Sequence, residues 1–224
     1  PMPEALARDM ADGYRWTPAG FAKRPYEFIG HLAPAGSASS TAGDMSRYML
    51  ALLNGGQLGG ISLYGPSTAQ AFRTSLRRTP TGINGWAHGF MVYDLTGGYR
   101  GYGHAGDTID FHSNLVVVPG LNLGVFISTN SETGRPLAQR LPDRLIQAFY
   151  AAPRPFPRGG SAELQQDPAS VSGYYLSSRR AYGGLEGFVT ALAGGTEVSV
   201  TPNGLLKTAS RDGSALWSLD GPLA

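Results

Sequence analysis

The chain has 224 residues, 42% of them hydrophobic and 15% charged, a balance that suits one or two globular domains and excludes a disordered chain. A formal charge of +2, with basic residues scattered and grouped only as the pairs Arg77-Arg78 and Arg179-Arg180, argues against a nucleic-acid partner. With no cysteine there is no disulfide framework, thiol nucleophile or thiolate metal site, and no apolar run approaches the ~20 residues that span a bilayer as a helix.

The first forty residues mix Gly, Pro, Ala and aromatics without steady periodicity, which predicts an extended segment lying over a body formed elsewhere. A helix is expected next. Thr41 and Asp44 form a capping pattern, Met45, Tyr48, Met49, Leu52 and Leu53 fall at helical spacing, and Asn54-Gly55-Gly56 supplies the stop. A shorter helix is expected from Ser67. From Trp86 the pattern changes to strands separated by glycine turns, expected at Trp86–Tyr93, Tyr99–Ala105, Phe111–Val118 and Leu123–Thr129, the last two joined by Pro119-Gly120-Leu121-Asn122 as an antiparallel hairpin. Arg135 to Tyr150 reads as a helix with Leu137, Leu141, Leu145 and Phe149 in a row, and Pro142 is expected to kink it or mark a late start.

Prolines and the Gly159-Gly160 pair make residues 153–169 a predicted linker. Beyond it, Gly173–Ser178, Gly187–Ala191, Glu197–Thr201, Leu205–Thr208 and Leu216–Leu219 are strand candidates. The expected organisation is an α+β portion over 1–152, an antiparallel sheet with flanking helices, followed by a small all-β module over 170–224. The abrupt start at Pro1-Met2-Pro3-Glu4 and the stop soon after a strand-like stretch suggest a piece of a longer protein.

A nucleophile is hard to find. No serine has the Gly-x-Ser-x-Gly surroundings of an α/β-hydrolase. A Ser-x-x-Lys pair needs serine three places before a lysine, but Lys23 and Lys207 are preceded there by Gly20 and Gly204. The histidines, His31, His88, His104 and His112, show no compact metal-ligand spacing. His104, Asp107, Asp110 and His112 do cluster in sequence, yet strand alternation would spread them over both faces of a sheet. The run Gly101-Tyr102-Gly103-His104-Ala105-Gly106-Asp107-Thr108 stands out, because three glycines around one histidine in a strand mark a place where another backbone or a substrate comes close. A glycine-rich turn with an exposed histidine is the alternative.

Tyr102 to Thr108, continuing through Phe111-His112-Ser113 and Leu115–Val118 to Leu123–Ser131, resembles the third motif and following strands of the penicillin-binding-protein-like serine hydrolases, which include class C β-lactamases, D-aminopeptidases and esterases. Pro34-Ala35-Gly36-Ser37 and Ser39–Met45 resemble the same family's loop and helix start, so the similarity spans roughly residues 10 to 150. The resemblance implies a partial β-lactamase-like fold and hydrolysis of small ester, amide or peptide substrates through an acyl-serine, with no metal or cofactor. It implies that the Ser-x-x-Lys nucleophile and the Tyr-x-Asn loop lie outside these residues, so that the chain alone is inactive. Ser128-Thr129-Asn130 fits Ser-x-Asn by letter but follows the strand motif, and reads as a strand end. His104 is then expected to face the site, Gly106 to leave an approach path, and the Asp107 amide to donate to the oxyanion. Histidine in place of the family's lysine favours an esterase or peptidase over a β-lactamase. The strand Leu123–Thr129 is expected to expose an edge through which copies of the chain could associate. A periplasmic, envelope-associated or secreted location is implied by resemblance alone. The rival reading is a non-catalytic peptide- or glycan-binding protein of the same fold.

Overall fold

The computed structural model describes residues 4–27, 29, 33–76, 84–152, 159–177, 180–210 and 213–217. The chain divides into two compact units, Pro1–Pro153 and Arg154–Ala224.

In the first unit, α1 (Glu4–Ala7) precedes an antiparallel hairpin of β1 (Tyr14–Thr17) and β2 (Gly20–Lys23), so the opening stretch expected to be merely extended folds on itself. The hairpin is tied to residues 130–132: the Tyr14 amide donates to the Asn130 carbonyl, the Glu132 amide to the Tyr14 carbonyl, and the Trp16 amide to Glu132 Oε1 at 3.2 Å. A single turn, α2 (Ala33–Gly36), follows; His31 lies outside the described residues. The helix expected after Thr41 is α3 (Ala42–Leu53). Its N-cap is Thr41, whose hydroxyl oxygen accepts from the Asp44 amide at 3.1 Å, which satisfies one of the helix's unpaired N–H groups. The two-residue strands β3 (Gln57–Leu58) and β4 (Ile61–Ser62) make a tight hairpin before α4 (Pro66–Arg73), where Pro66 opens the first turn.

The main sheet contains β5 (Gly85–Trp86), β6 (Met91–Leu95), β7 (Tyr99–Asp107), β8 (His112–Val118) and β9 (Leu123–Thr129), antiparallel and in sequence order. The single strand expected over Trp86–Tyr93 is two. Gly89, at φ +75°, turns the chain between β5 and β6, a backbone conformation that only glycine adopts at little cost. α5 (Arg135–Phe149) runs as one helix from its first expected residue, with Pro142 buried inside it. β8 shows why no alternation marks its core. Leu115, Val116, Val117 and Val118 are all buried, because helices cover both faces of the sheet. Leu115 and Val117 pack with Met49 and Leu52 of α3, Val92 and Tyr102, whereas Val116 and Val118 pack with Ile146 of α5, Tyr93 and Leu95. β9 is the last strand of the sheet among the described residues.

In the second unit, α6 (Ala162–Gln166), β10 (Gly173–Tyr175), α7 (Gly184–Ala193), β11 (Thr196–Val200), β12 (Leu206–Ser210) and β13 (Gly213–Trp217) follow, the strands forming an antiparallel sheet in chain order. Two expectations are corrected here. The segment read as linker carries α6, capped by Ser161 and anchored by the fully buried Leu164; residues 153–158 lie outside the described residues. The strand expected at Gly187–Ala191 lies inside α7, since Leu185, Phe188, Val189 and Leu192 recur at helical spacing and a short apolar run does not by itself separate helix from strand. Among the described residues no helix is long and apolar enough to cross a membrane.

Candidate functional site

β7 is longer than its neighbour β6. β6 pairs with it only from Tyr99 to Gly103, while β8 pairs with it from Tyr102 through Asp107. Residues 104–107 therefore have β8 on one side and no ladder partner on the other among the described residues. The orientation of their backbone groups follows from the turn. The Thr108 amide donates to the Phe111 carbonyl at 2.9 Å, so Thr108 faces Phe111 as a hydrogen-bonded pair. Antiparallel pairing alternates. Gly106 and His104 then turn their N–H and C=O toward β8, while Ala105 and Asp107 turn theirs to the open edge.

Side chains alternate as well. Tyr102, His104 and Gly106 share the α3 face, and Gly103, Ala105 and Asp107 the α5 face. Tyr102 fixes the buried end of this row: its hydroxyl donates to the Leu52 carbonyl at 2.8 Å, with the Arg73 guanidinium 5.6 Å from its ring centre. Burial raises the Tyr102 hydroxyl above its ordinary pKa, against the opposing pull of Arg73. His104 is exposed, its Nδ1 touching the Ala105 carbonyl oxygen, and the Trp86 ring stands edge-on to it with centres 5.9 Å apart.

The glycines of this strand serve two different ends. A Cβ at Gly103 would collide with the Leu115 carbonyl on β8, and one at Gly101 would stand 2.9 Å from Leu95 and 3.0 Å from Val116. These two allow the strands to close. At Gly106 a Cβ would meet nothing within 4 Å among the described residues, so of the three this glycine leaves open space beside the free edge.

The cluster expected to be conceivable as a metal site separates. Asp107 and His112 come together, with His112 Nδ1 2.7 Å from Asp107 Oδ1 and Arg135 Nε 3.4 Å from Oδ2. Asp110 is buried and pairs instead with Arg24 at 3.1 Å, while His104 lies on the other face of the sheet. Among the described residues no three His, Asp or Glu side chains group to hold a metal ion. Asp110 also borders a cleft of about 220 Å³ shared with Met10, Arg24, Tyr26, Glu27 and Phe111, and neither His104 nor Asp107 lines it. Ser128-Thr129-Asn130 is structurally occupied. Ser128 pairs with Ser113 across the ladder, Thr129 donates to the His112 carbonyl, and Asn130 donates to the Asp12 carbonyl.

Sequence reasoning missed Trp86, Arg135 and the role of His112. The last was accessible: a two-residue turn at Ile109-Asp110 puts Asp107 and His112 opposite one another on the same face. Trp86 and Arg135 carry no local signal.

The sequence profile of the Beta-lactamase family matches residues 2–149. No curated protein matches the chain. Among solved structures, the octameric penicillin-binding protein homologue from Pyrococcus abyssi aligns with a TM-score of 0.52 at 18% identity, over 96% of this chain and 45% of that one. A structure described as SurE aligns with a TM-score of 0.49 at 20% identity, over 95% of this chain and 49% of its own. The chain thus spans just under half the length of the solved proteins it resembles.

Proposed function

Since the chain belongs to the β-lactamase family of penicillin-binding-protein-like serine hydrolases, we propose that its first unit forms one wall of an acyl-transfer site whose Ser-x-x-Lys nucleophile lies on a part of the hydrolase outside these 224 residues. The observation that carries this reading is the free edge of β7 over residues 104–107, with the N–H and C=O of Asp107 turned outward.

An extended substrate adds to such an edge as a further strand, its own amide donating to the Asp107 carbonyl. When the serine oxygen attacks the substrate carbonyl, negative charge develops on the carbonyl oxygen. The Asp107 amide donates to that oxyanion, and the serine's own amide is the second donor. Gly106 leaves room for the approach. His104, exposed at the same edge, donates a hydrogen bond to a substrate carboxylate or to the groups that move the serine's proton. Histidine here instead of the family's lysine favours small esters, amides or peptides over β-lactams. Collapse of the oxyanion breaks the bond to the substrate's alcohol or amine, which leaves with the serine's proton, and water then hydrolyses the acyl-serine to the free acid and restores the serine hydroxyl.

A fluorophosphonate probe tests the assignment. A longer protein carrying the upstream segment is expected to be labelled at its serine, and the 224-residue chain to remain unlabelled. Labelling of the 224-residue chain would overturn the proposal, because its nucleophile would then lie within it.

A further inference from the structure

Asp107 turns its amide to the open edge but its carboxylate to the α5 face, where two partners hold it. His112 Nδ1 lies 2.7 Å from Oδ1 and Arg135 Nε 3.4 Å from Oδ2. A carboxylate only accepts, so the proton of this bond sits on Nδ1. His112 itself is 5% exposed, and its Nε2 has no hydrogen-bond partner among the described residues. An imidazole buried with one nitrogen unsatisfied is a poor choice for packing alone, since an apolar side chain would fill the volume without that penalty. The residue's useful feature is therefore the Nδ1 donor.

At the end of β7 that donor adds a hold to those of the backbone. Asp107 and His112 face one another as a pair that exchanges no backbone hydrogen bonds, so the ladder holds the Asp107 N–H only through the carbonyl of the same peptide, that of Gly106, which turns to β8, and leaves the Asp107 Cα to be held by its side chain. Amide and side chain share one Cα. Rotation that swings the amide away from the open edge also pulls the carboxylate from both His112 and Arg135. His112 is in turn fixed from the far side, where Thr129 donates to its carbonyl at 3.2 Å.

We infer that His112 is a positioning residue for the Asp107 amide, holding it through the buried Nδ1–carboxylate bond in the orientation that an oxyanion requires, with Arg135 as the second hold. This rests on the assignment of that amide as an oxyanion donor. Losing such a donor outright costs ~100-fold or more in kcat, and a displaced one is expected to cost at least about tenfold.

The test compares His112→Leu, which removes the donor, with His112→Asn, which keeps an N–H near the Nδ1 position. In the full-length protein His112→Leu is expected to lower kcat at least about tenfold with KM moved by less than about threefold, and His112→Asn to recover most of the loss. In the 224-residue chain the NMR resonance of the Asp107 amide is expected to shift in His112→Leu and return in His112→Asn. Should the leucine variant fail to fold, His112→Gln, with its donor displaced toward the Nε2 position, takes its place and is expected to behave as the leucine does. An asparagine variant no better than the leucine or glutamine variant in both readouts would overturn the inference, as would a leucine variant equal to wild type. A full-length protein that takes no fluorophosphonate refutes the acyl-serine reading instead, and the Asp107 resonance alone then decides whether His112 sets that amide.

Discussion

Two glycines three residues apart on β7 are expected to respond to alanine with opposite signs. At Gly103 the added Cβ would overlap the Leu115 carbonyl oxygen and stand 2.8 Å from its carbon and 3.1 Å from Val116 Cα, where ordinary contact begins at 3.4 Å. These are backbone atoms of β8, an interior strand with helices on both faces, so relief requires β7 and β8 to part. Overpacking of this kind costs about 1–3 kcal/mol, and a collision with backbone belongs at the upper end. At Gly106 nothing among the described residues lies within 4 Å of the new Cβ, and φ is outside the left-handed region. Alanine there stabilises by about 0.4–1 kcal/mol by restricting the unfolded chain. For a unit of this size 1 kcal/mol moves Tm by roughly 2–4 °C. Gly103→Ala is therefore expected to lower the Tm of the first unit by about 6–12 °C, and Gly106→Ala to raise it by about 1–4 °C. Thermal melts of the 224-residue chain followed by circular dichroism measure both. A Gly103→Ala protein that melts with wild type, or a Gly106→Ala protein that falls as far as Gly103→Ala, would refute the division of the strand into a packed half and an open half.

Tyr93→Phe is expected to destabilise the chain by about 1–2 kcal/mol, since the Tyr93 hydroxyl donates to Oδ1 of the buried Asn114 at 3.2 Å and its loss leaves that oxygen unpaired. Burial pushes the Tyr93 hydroxyl from 10.0 up to about 12, so the folded state keeps the proton where the unfolded chain has lost it. The stability this gives is complete below 10 and declines toward about 12; melts of both proteins across that range should show the alkaline loss in wild type and a smaller one in Tyr93→Phe. Glu27 behaves in the opposite sense. Burial alone would raise its carboxyl, but hydrogen bonds from the Ile109 amide, the Thr108 side chain and the Asp110 amide, together with the Arg24 charge, outweigh that and lower it below 4.5. Its contribution is complete above 4.5 and lost as the pH falls through the lowered value; acid titration of wild type against Glu27→Gln should show a steeper loss of stability in wild type, and parallel curves would count against the hold on the 108–111 turn.

Local chemistry made much of the fold legible. Thr41 with Asp44 marked the start of α3, and Asn54-Gly55-Gly56 its end, because caps and stops act within a few residues. The strands from Tyr99 to Thr129 were readable from their turns and β-branched runs. Where short apolar segments lack decisive punctuation, legibility fails: part of α7 reads as a strand and α6 as linker, although Leu164 is fully buried. The motif around His104 was legible as a close-approach strand, but composition could not say which glycine served packing and which left space.

The sequence by itself determined the family motif, the α3 cap, the missing Ser-x-x-Lys and the run of residues from Gly103 to Asp107, all properties carried by neighbours along the chain. Tertiary structure decided that β6 stops short of residue 104, so that Asp107 turns its amide to an open edge, and that the Asp107 carboxylate is held by His112 and by Arg135 of a different element. The physical reason is that strand pairing length and side-chain partners across a sheet depend on where separate segments end in space, which spacing along one segment does not encode.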